Sequence, residues 1–165
     1  MSFYRRMIAV SVALAAVLAA ANCFGQESAK QKEIYNETAD ARAEVREALR
    51  KARVEHKRVI VVFGANWCFD CHVLDQAFHQ AEPASIIAAN YEVVHVDIGK
   101  GEKNQDLMNK YEVPLKRGIP GLAVLDPDGT LVYSQKNGEF ENARDMPQDD
   151  FLAFLNKWKP GTRNK

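Results

Sequence analysis

The chain has 165 residues, 47% of them hydrophobic, and its 22 Lys plus Arg are balanced by 22 Asp plus Glu. That length and composition fit one globular domain rather than a disordered or fibrous chain. A net charge of zero leaves no electrostatic footprint for nucleic acid, and three cysteines are too few for a disulfide-stapled mini-domain.

Residues 1–25 read as a secretory signal peptide that is cleaved from the mature protein. Arg5 and Arg6 form a basic start, 8–21 are apolar apart from Ser11, and Asn22, Cys23, Phe24 and Gly25 precede a polar turn at Gln26. The apolar run is short for a membrane span. The alternative is a lipid anchor through Cys23; Asn22 is an unusual residue before a lipidated cysteine. The protein is therefore expected to be exported, and periplasmic if the source is a Gram-negative bacterium. Removing 1–25 leaves two more acids than bases and only Cys68 and Cys71. A pair so close closes too small a loop to stabilise the chain much, so chemistry explains it better.

The mature chain divides into a polar, flexible segment over 26–39, a domain over 40–160 and a tail over 161–165. Ala41, Val45, Ala48, Leu49 and Ala52 recur at helical spacing within 40–57. Val59 to Val62 are four β-branched residues in a row, as in a strand buried on both faces. A helix over 68–81 carries Leu74 and Phe78 and is expected to end at Pro83. A short helix over 84–90 and a strand over 92–97 follow. Leu107, Met108 and Tyr111 mark a helix over 104–111. A strand over 122–125 turns at Asp126-Pro127-Asp128-Gly129 into an antiparallel partner over 130–134. A closing helix over 147–159 has Asp149 and Asp150 in its first turn and Lys157 and Lys159 in its last. Alternating strands and helices with a terminal hairpin predict an α/β layer fold around a central mixed sheet.

The chemistry sits where the first buried strand gives way to a helix. Cys68 and Cys71, three positions apart in a first helical turn, face one side and can close a small disulfide. Free N–H groups and the helix dipole favour a thiolate at Cys68, the nucleophile. Cys71, one turn in and more buried, is placed to resolve a mixed disulfide. Asp70 pushes the other way, toward a protonated Cys68 thiol. His72, if cationic, favours the thiolate.

These residues resemble the thioredoxin superfamily, and most of all its exported thiol–disulfide interchange proteins. Trp67-Cys68-Phe69-Asp70-Cys71 is similar to the family's active-site motif, and Gly118-Ile119-Pro120 resembles its cis-proline loop. The resemblance covers about 40–158 and implies a thioredoxin-like three-layer fold, a mixed sheet flanked by helices, with an extra N-terminal helix. It further implies that Trp67, Ile119 and Pro120 contact the substrate and that Phe69 and Asp70 tune the redox potential. One departure stands out: the buried Asp that cytosolic thioredoxins carry six residues before the nucleophile, the usual proton acceptor for the resolving cysteine, is replaced here by Val62.

Other readings of the cysteines exist. Cys68-x-x-Cys71-His72 also fits haem attachment, with Met108 or Met146 as the distal ligand, but haem requires neither the buried strand nor the Ile-Pro step. Cys68, Cys71 and a histidine such as His95 could hold copper or zinc. A binding module without turnover is the third. The favoured expectation is an exported thiol–disulfide oxidoreductase, a monomer needing no cofactor beyond its Cys68–Cys71 disulfide. Its partners are disulfide-containing or dithiol proteins, with re-reduction by a membrane or periplasmic thiol donor. The reducing direction is favoured because Ile119 before Pro120 resembles the reducing members.

Overall fold

The structure, a computed structural model, describes residues 32–161. The expected signal peptide, Cys23 and residues 26–31 lie outside the described residues, as do 162–165. The elements run α1 (Ala41–Glu55), β1 (Arg58–Gly64), α2 (Phe69–Phe78), α3 (Ala81–Asn90), β2 (Tyr91–Asp97), α4 (Gln105–Lys110), β3 (Gly121–Leu125), β4 (Leu131–Ser134) and α5 (Gln148–Trp158). Short 3-10 turns occupy Leu115–Arg117 and Ala143–Asp145. Among the described residues no helix is long and apolar enough to cross a membrane.

The sheet order is β2-β1-β3-β4, with β1 parallel to β2 and antiparallel to β3. β1 is therefore central, and its burial from Val59 to Gly64 explains its unbroken apolar sequence. The pleat sends Val59, Val61 and Phe63 to one face, where α1 and α4 supply Val45, Ala52, Leu107 and Met108. It sends Ile60 and Val62 to the other, against Leu74, Phe78, Phe151 and Leu155 of α2 and α5. Helices thus cover both faces of a four-stranded mixed sheet.

Local signals set the boundaries. Asp40 caps α1 by accepting from the Ala43 N–H at 3.1 Å. The β3–β4 turn closes through the Gly129 N–H donating to the Asp126 carbonyl at 2.8 Å, with Gly129 at φ 90°. Pro83 does not end a helix as expected. The helix stops at Phe78, and Pro83 falls in the first turn of α3, where a missing N–H loses no hydrogen bond.

The larger departure lies before α1. Residues 26–39 were expected to be flexible, yet Tyr35 is only 1% exposed. Asn66 holds the segment down: its Oδ1 accepts from the Ile34 and Tyr35 N–H groups at 3.0 and 2.9 Å, and its Nδ2 donates to the Tyr35 carbonyl at 2.9 Å. The Tyr35 ring packs edge-on against His95, with centroids 5.4 Å apart. Part of the polar stretch is thereby ordered beneath the β1–α2 junction.

Candidate active site

β1 delivers the chain to the site and α2 carries it away. Cys68 is the N-cap of α2. Its Sγ receives the Cys71 backbone N–H at 3.1 Å, so an amide at a helix N-terminus points at the first sulfur. Cys68 and Cys71 are joined by a disulfide, with Cα atoms 5.3 Å apart. Both are nearly closed off, at 5% and 2% exposure.

The side chains flanking Cys68 are apolar and exposed. Trp67 and Phe69, on either side of it in sequence, are 63% and 60% exposed. Trp67 is held by its indole N–H, which donates to the Gly99 carbonyl at 2.8 Å. Phe69 lies under the Arg144 guanidinium, 5.0 Å from its ring centroid. The Ile119–Pro120 peptide is cis, and the Ile119 carbonyl oxygen sits 3.6 Å from Cys68 Sγ. Pro120 is buried and Ile119 half-buried. Trp67, Ile119 and Pro120, the expected substrate contacts, and Phe69, an expected tuning residue, thus lie beside Cys68 in the chain or in the loop whose Ile119 carbonyl approaches its sulfur.

Two tuning residues look different in context. Asp70 is not a bare charge beside Cys68. It is 7% exposed and accepts the Arg144 backbone N–H at 3.1 Å and Nε at 2.9 Å, with a further bond from Nη2. The Arg144 hydrogen bonds hold its carboxyl below the ordinary carboxylate range, burial opposing them. Its charge is compensated, so its push on Cys68 is offset and it anchors the Ala143–Asp145 turn to α2. His72 donates through Nε2 to the Asn66 carbonyl at 2.7 Å.

The second sulfur faces a closed space. Tyr35, Cys68 and Cys71 form one buried cluster, with Ile34 and Ile119 packed against it. A Cβ built on Gly64 would fall 2.2 Å from Tyr35 Oη and 2.7 Å from Cys71 Sγ. Gly64 is therefore bare because hydroxyl and sulfur occupy the space that a side chain would fill. Val62, at the expected carboxylate position, is 2% exposed in the apolar core.

Several supporting residues escaped the sequence reading. Asn66 and Tyr35 order the segment behind the disulfide. Arg144 neutralises Asp70. Gln135, 1% exposed, donates to the Pro120 carbonyl at 3.2 Å and accepts from the Leu122 N–H at 3.1 Å, which fixes the proline loop to β3. No spacing or periodicity in the sequence marks these residues, whose partners lie far away along the chain. Among the described residues, no group of three or more His, Cys, Asp or Glu is arranged to hold a metal ion.

A family model for thioredoxin-like proteins matches residues 40–127. The chain belongs to the thioredoxin-like family. Its fold is similar to that of a disulphide isomerase from Xylella fastidiosa Temecula1, at 38% identity and a TM-score of 0.72, covering 76% of this chain and 96% of that one. The reduced C-terminal domain of DsbD from Neisseria meningitidis shares the fold at 21% identity and a TM-score of 0.52, with 74% and 96% covered. In sequence the chain is 25% identical over 123 residues to the thiol:disulfide interchange protein DsbD of Pseudomonas fluorescens. That match takes in 73% of this chain but only 19% of the much longer relative. A thioredoxin-like member with a Cys68–Cys71 disulfide at a helix N-terminus is equipped for thiol–disulfide exchange.

Proposed function

We propose that this protein is an extracytoplasmic thiol–disulfide oxidoreductase that reduces or exchanges disulfides of partner proteins, with Cys68 as nucleophile and Cys71 as resolving cysteine. The observation that carries the reading is the Cys68 sulfur itself. It caps α2 under the Cys71 amide, lies 3.6 Å from the Ile119 carbonyl and is flanked by the exposed Trp67 and Phe69. The amide and the helix dipole favour a Cys68 thiolate. The Ile119 carbonyl, at the end of a cis-proline loop, offers backbone to an extended partner segment.

The exchange proceeds in two displacements. The Cys68 thiolate attacks one sulfur of the partner's disulfide. A Cys68–partner bond forms, the partner's S–S bond breaks, and its other sulfur leaves as a thiolate that takes up a proton. Cys71, as thiolate, then attacks Cys68 Sγ. The Cys68–Cys71 bond forms and the second partner sulfur departs as thiolate. The partner gains two electrons and the protein loses them; a dithiol donor returns them. No cofactor is required, because both electrons travel in the sulfur–sulfur bonds.

Export is supported by the character of residues 1–25, and the reducing direction by Ile119 before Pro120. The description of the Xylella relative as a disulphide isomerase supports a disulfide-exchange activity. The test is turnover of insulin disulfides by the mature protein with dithiothreitol as donor. Cys68→Ser is expected to abolish activity. Cys71→Ser is expected to accumulate a mixed disulfide that survives non-reducing electrophoresis. Wild-type turnover by Cys68→Ser would end the proposal.

A further inference from the structure

The Tyr35 hydroxyl is the one buried side-chain polar atom without a hydrogen-bond partner among the described residues. Leaving a buried hydroxyl unpaired is unfavourable, and such an atom in a folded protein calls for a reason. Its position supplies one. Gly64 follows Val62 by two residues on β1, so both face the same side of the sheet. Val62 stands where the cytosolic thioredoxins that the chain resembles carry a buried Asp. One pleat further on, the missing Gly64 side chain leaves room for Tyr35 Oη and Cys71 Sγ together. A polar group thus shares the space at Gly64 with the resolving sulfur, carried in from outside the strand by the segment that Asn66 holds.

We infer that Tyr35 is a positioning and tuning residue for Cys71, its hydroxyl left unpaired while the disulfide is closed and hydrogen-bonded to Cys71 Sγ once it opens. The inference rests on the redox reading of the Cys68–Cys71 pair. A disulfide sulfur is a poor acceptor and has no proton to give. When the pair takes up two electrons and two protons, the S–S bond breaks and each sulfur becomes a thiol. The Cys71 S–H then donates to the phenol oxygen. When Cys71 gives up its proton to the partner thiolate released in the first displacement, the phenol O–H donates to the Cys71 thiolate. A hydroxyl is both donor and acceptor, so one group serves both states. The phenol keeps its own proton throughout, since burial, with Asp75 and Asp97 nearby, holds it protonated. Here Tyr35 differs from a buried carboxylate, which can accept the proton. It favours the reduced pair without acting as a base.

The test is the reduction potential of Tyr35→Phe against wild type, each equilibrated with dithiothreitol or glutathione buffers at one pH and read by thiol alkylation. Phe keeps the ring and removes only the hydroxyl. The equilibrium is expected to shift about tenfold toward the disulfide, a potential about 30 mV lower. Urea unfolding of each redox form is the companion measurement. The oxidised variant is expected to be as stable as wild type or more so, and the reduced variant less stable. Equal loss in both forms with an unmoved potential would mean that Tyr35 only fills space, and would overturn the inference. If wild type gives no reversible couple, the redox reading falls and the Tyr35 assignment with it. A normal wild-type couple with an unshifted variant overturns the Tyr35 assignment alone.

Discussion

The two sulfurs of one small disulfide live in different surroundings. Cys68, itself only 5% exposed, stands in the chain between the exposed Trp67 and Phe69, with the Ile119 carbonyl 3.6 Å away. Cys71 faces inward, into a closed space shared with Tyr35 and kept open by Gly64. The outer environment is made by residues close in sequence to the nucleophile, plus one loop. The inner one is made by a segment from before α1, folded back onto the end of β1. The front suits docking of many partners, because apolar rings and a backbone carbonyl read little sequence. The back sees no partner, so it can set only the energetics of the pair. In the proposed account, recognition and redox tuning fall on opposite sides of the same bond.

Substitutions separate the two sides. The largest effect short of removing a cysteine is expected at the back, in Gly64→Ala. The added Cβ would meet Tyr35 Oη at 2.2 Å, Cζ at 2.6 Å and Cys71 Sγ at 2.7 Å. Overpacking of that kind destabilises a core by about 1–3 kcal/mol, which urea denaturation measures directly. Unchanged stability would mean that the inner space is not close-packed.

At the front, Trp67→Ala and Phe69→Ala remove apolar docking surface while leaving the disulfide's supports in place. Each is expected to raise KM for a protein disulfide several-fold, in the range of a loss of about 1 kcal/mol of contact energy. Turnover of a small disulfide that needs no docking surface is expected to hold. Equal loss on both substrates would place these rings in the chemistry rather than in recognition.

The smallest effect concerns Asp70, which belongs to neither side. Arg144 holds its folded-state carboxyl below the ordinary value, so the stability it contributes is complete above about pH 4. That contribution is lost as pH falls further, through the folded-state value. Asp70→Asn is therefore expected to be less stable than wild type at neutral pH, and the two are expected to converge in strong acid. Parallel urea midpoints across that range would contradict the pairing.

Much of the front was legible in the sequence because its signals are local. The β-branched run Val59–Val62 marks a doubly buried strand, Cys68 and Cys71 share one helical turn, and Trp67 adjoins the nucleophile. Ile119-Pro120 was legible only through resemblance, since an Ile-Pro step alone carries no instruction to approach a sulfur. The back was not legible. Tyr35 sits in a polar stretch without periodicity, and its burial comes from Asn66, 31 residues away, through bonds to its backbone. Asp70 read as a free charge because Arg144 is 74 residues distant. Gln135 belongs to no sequence motif, and only the fold shows it bracing the proline loop. Val62 told us that a carboxylate was missing, but not what had taken its place.

The most direct test of the central claim is the reduction potential of the Cys68–Cys71 pair in the mature wild-type protein. A reversible two-electron couple near about −270 mV, as in thioredoxin, is the predicted result and fits a protein that reduces its partners. A value near about −120 mV would mark a donor of disulfides and contradict the direction, and the lack of any reversible couple would contradict the claim itself.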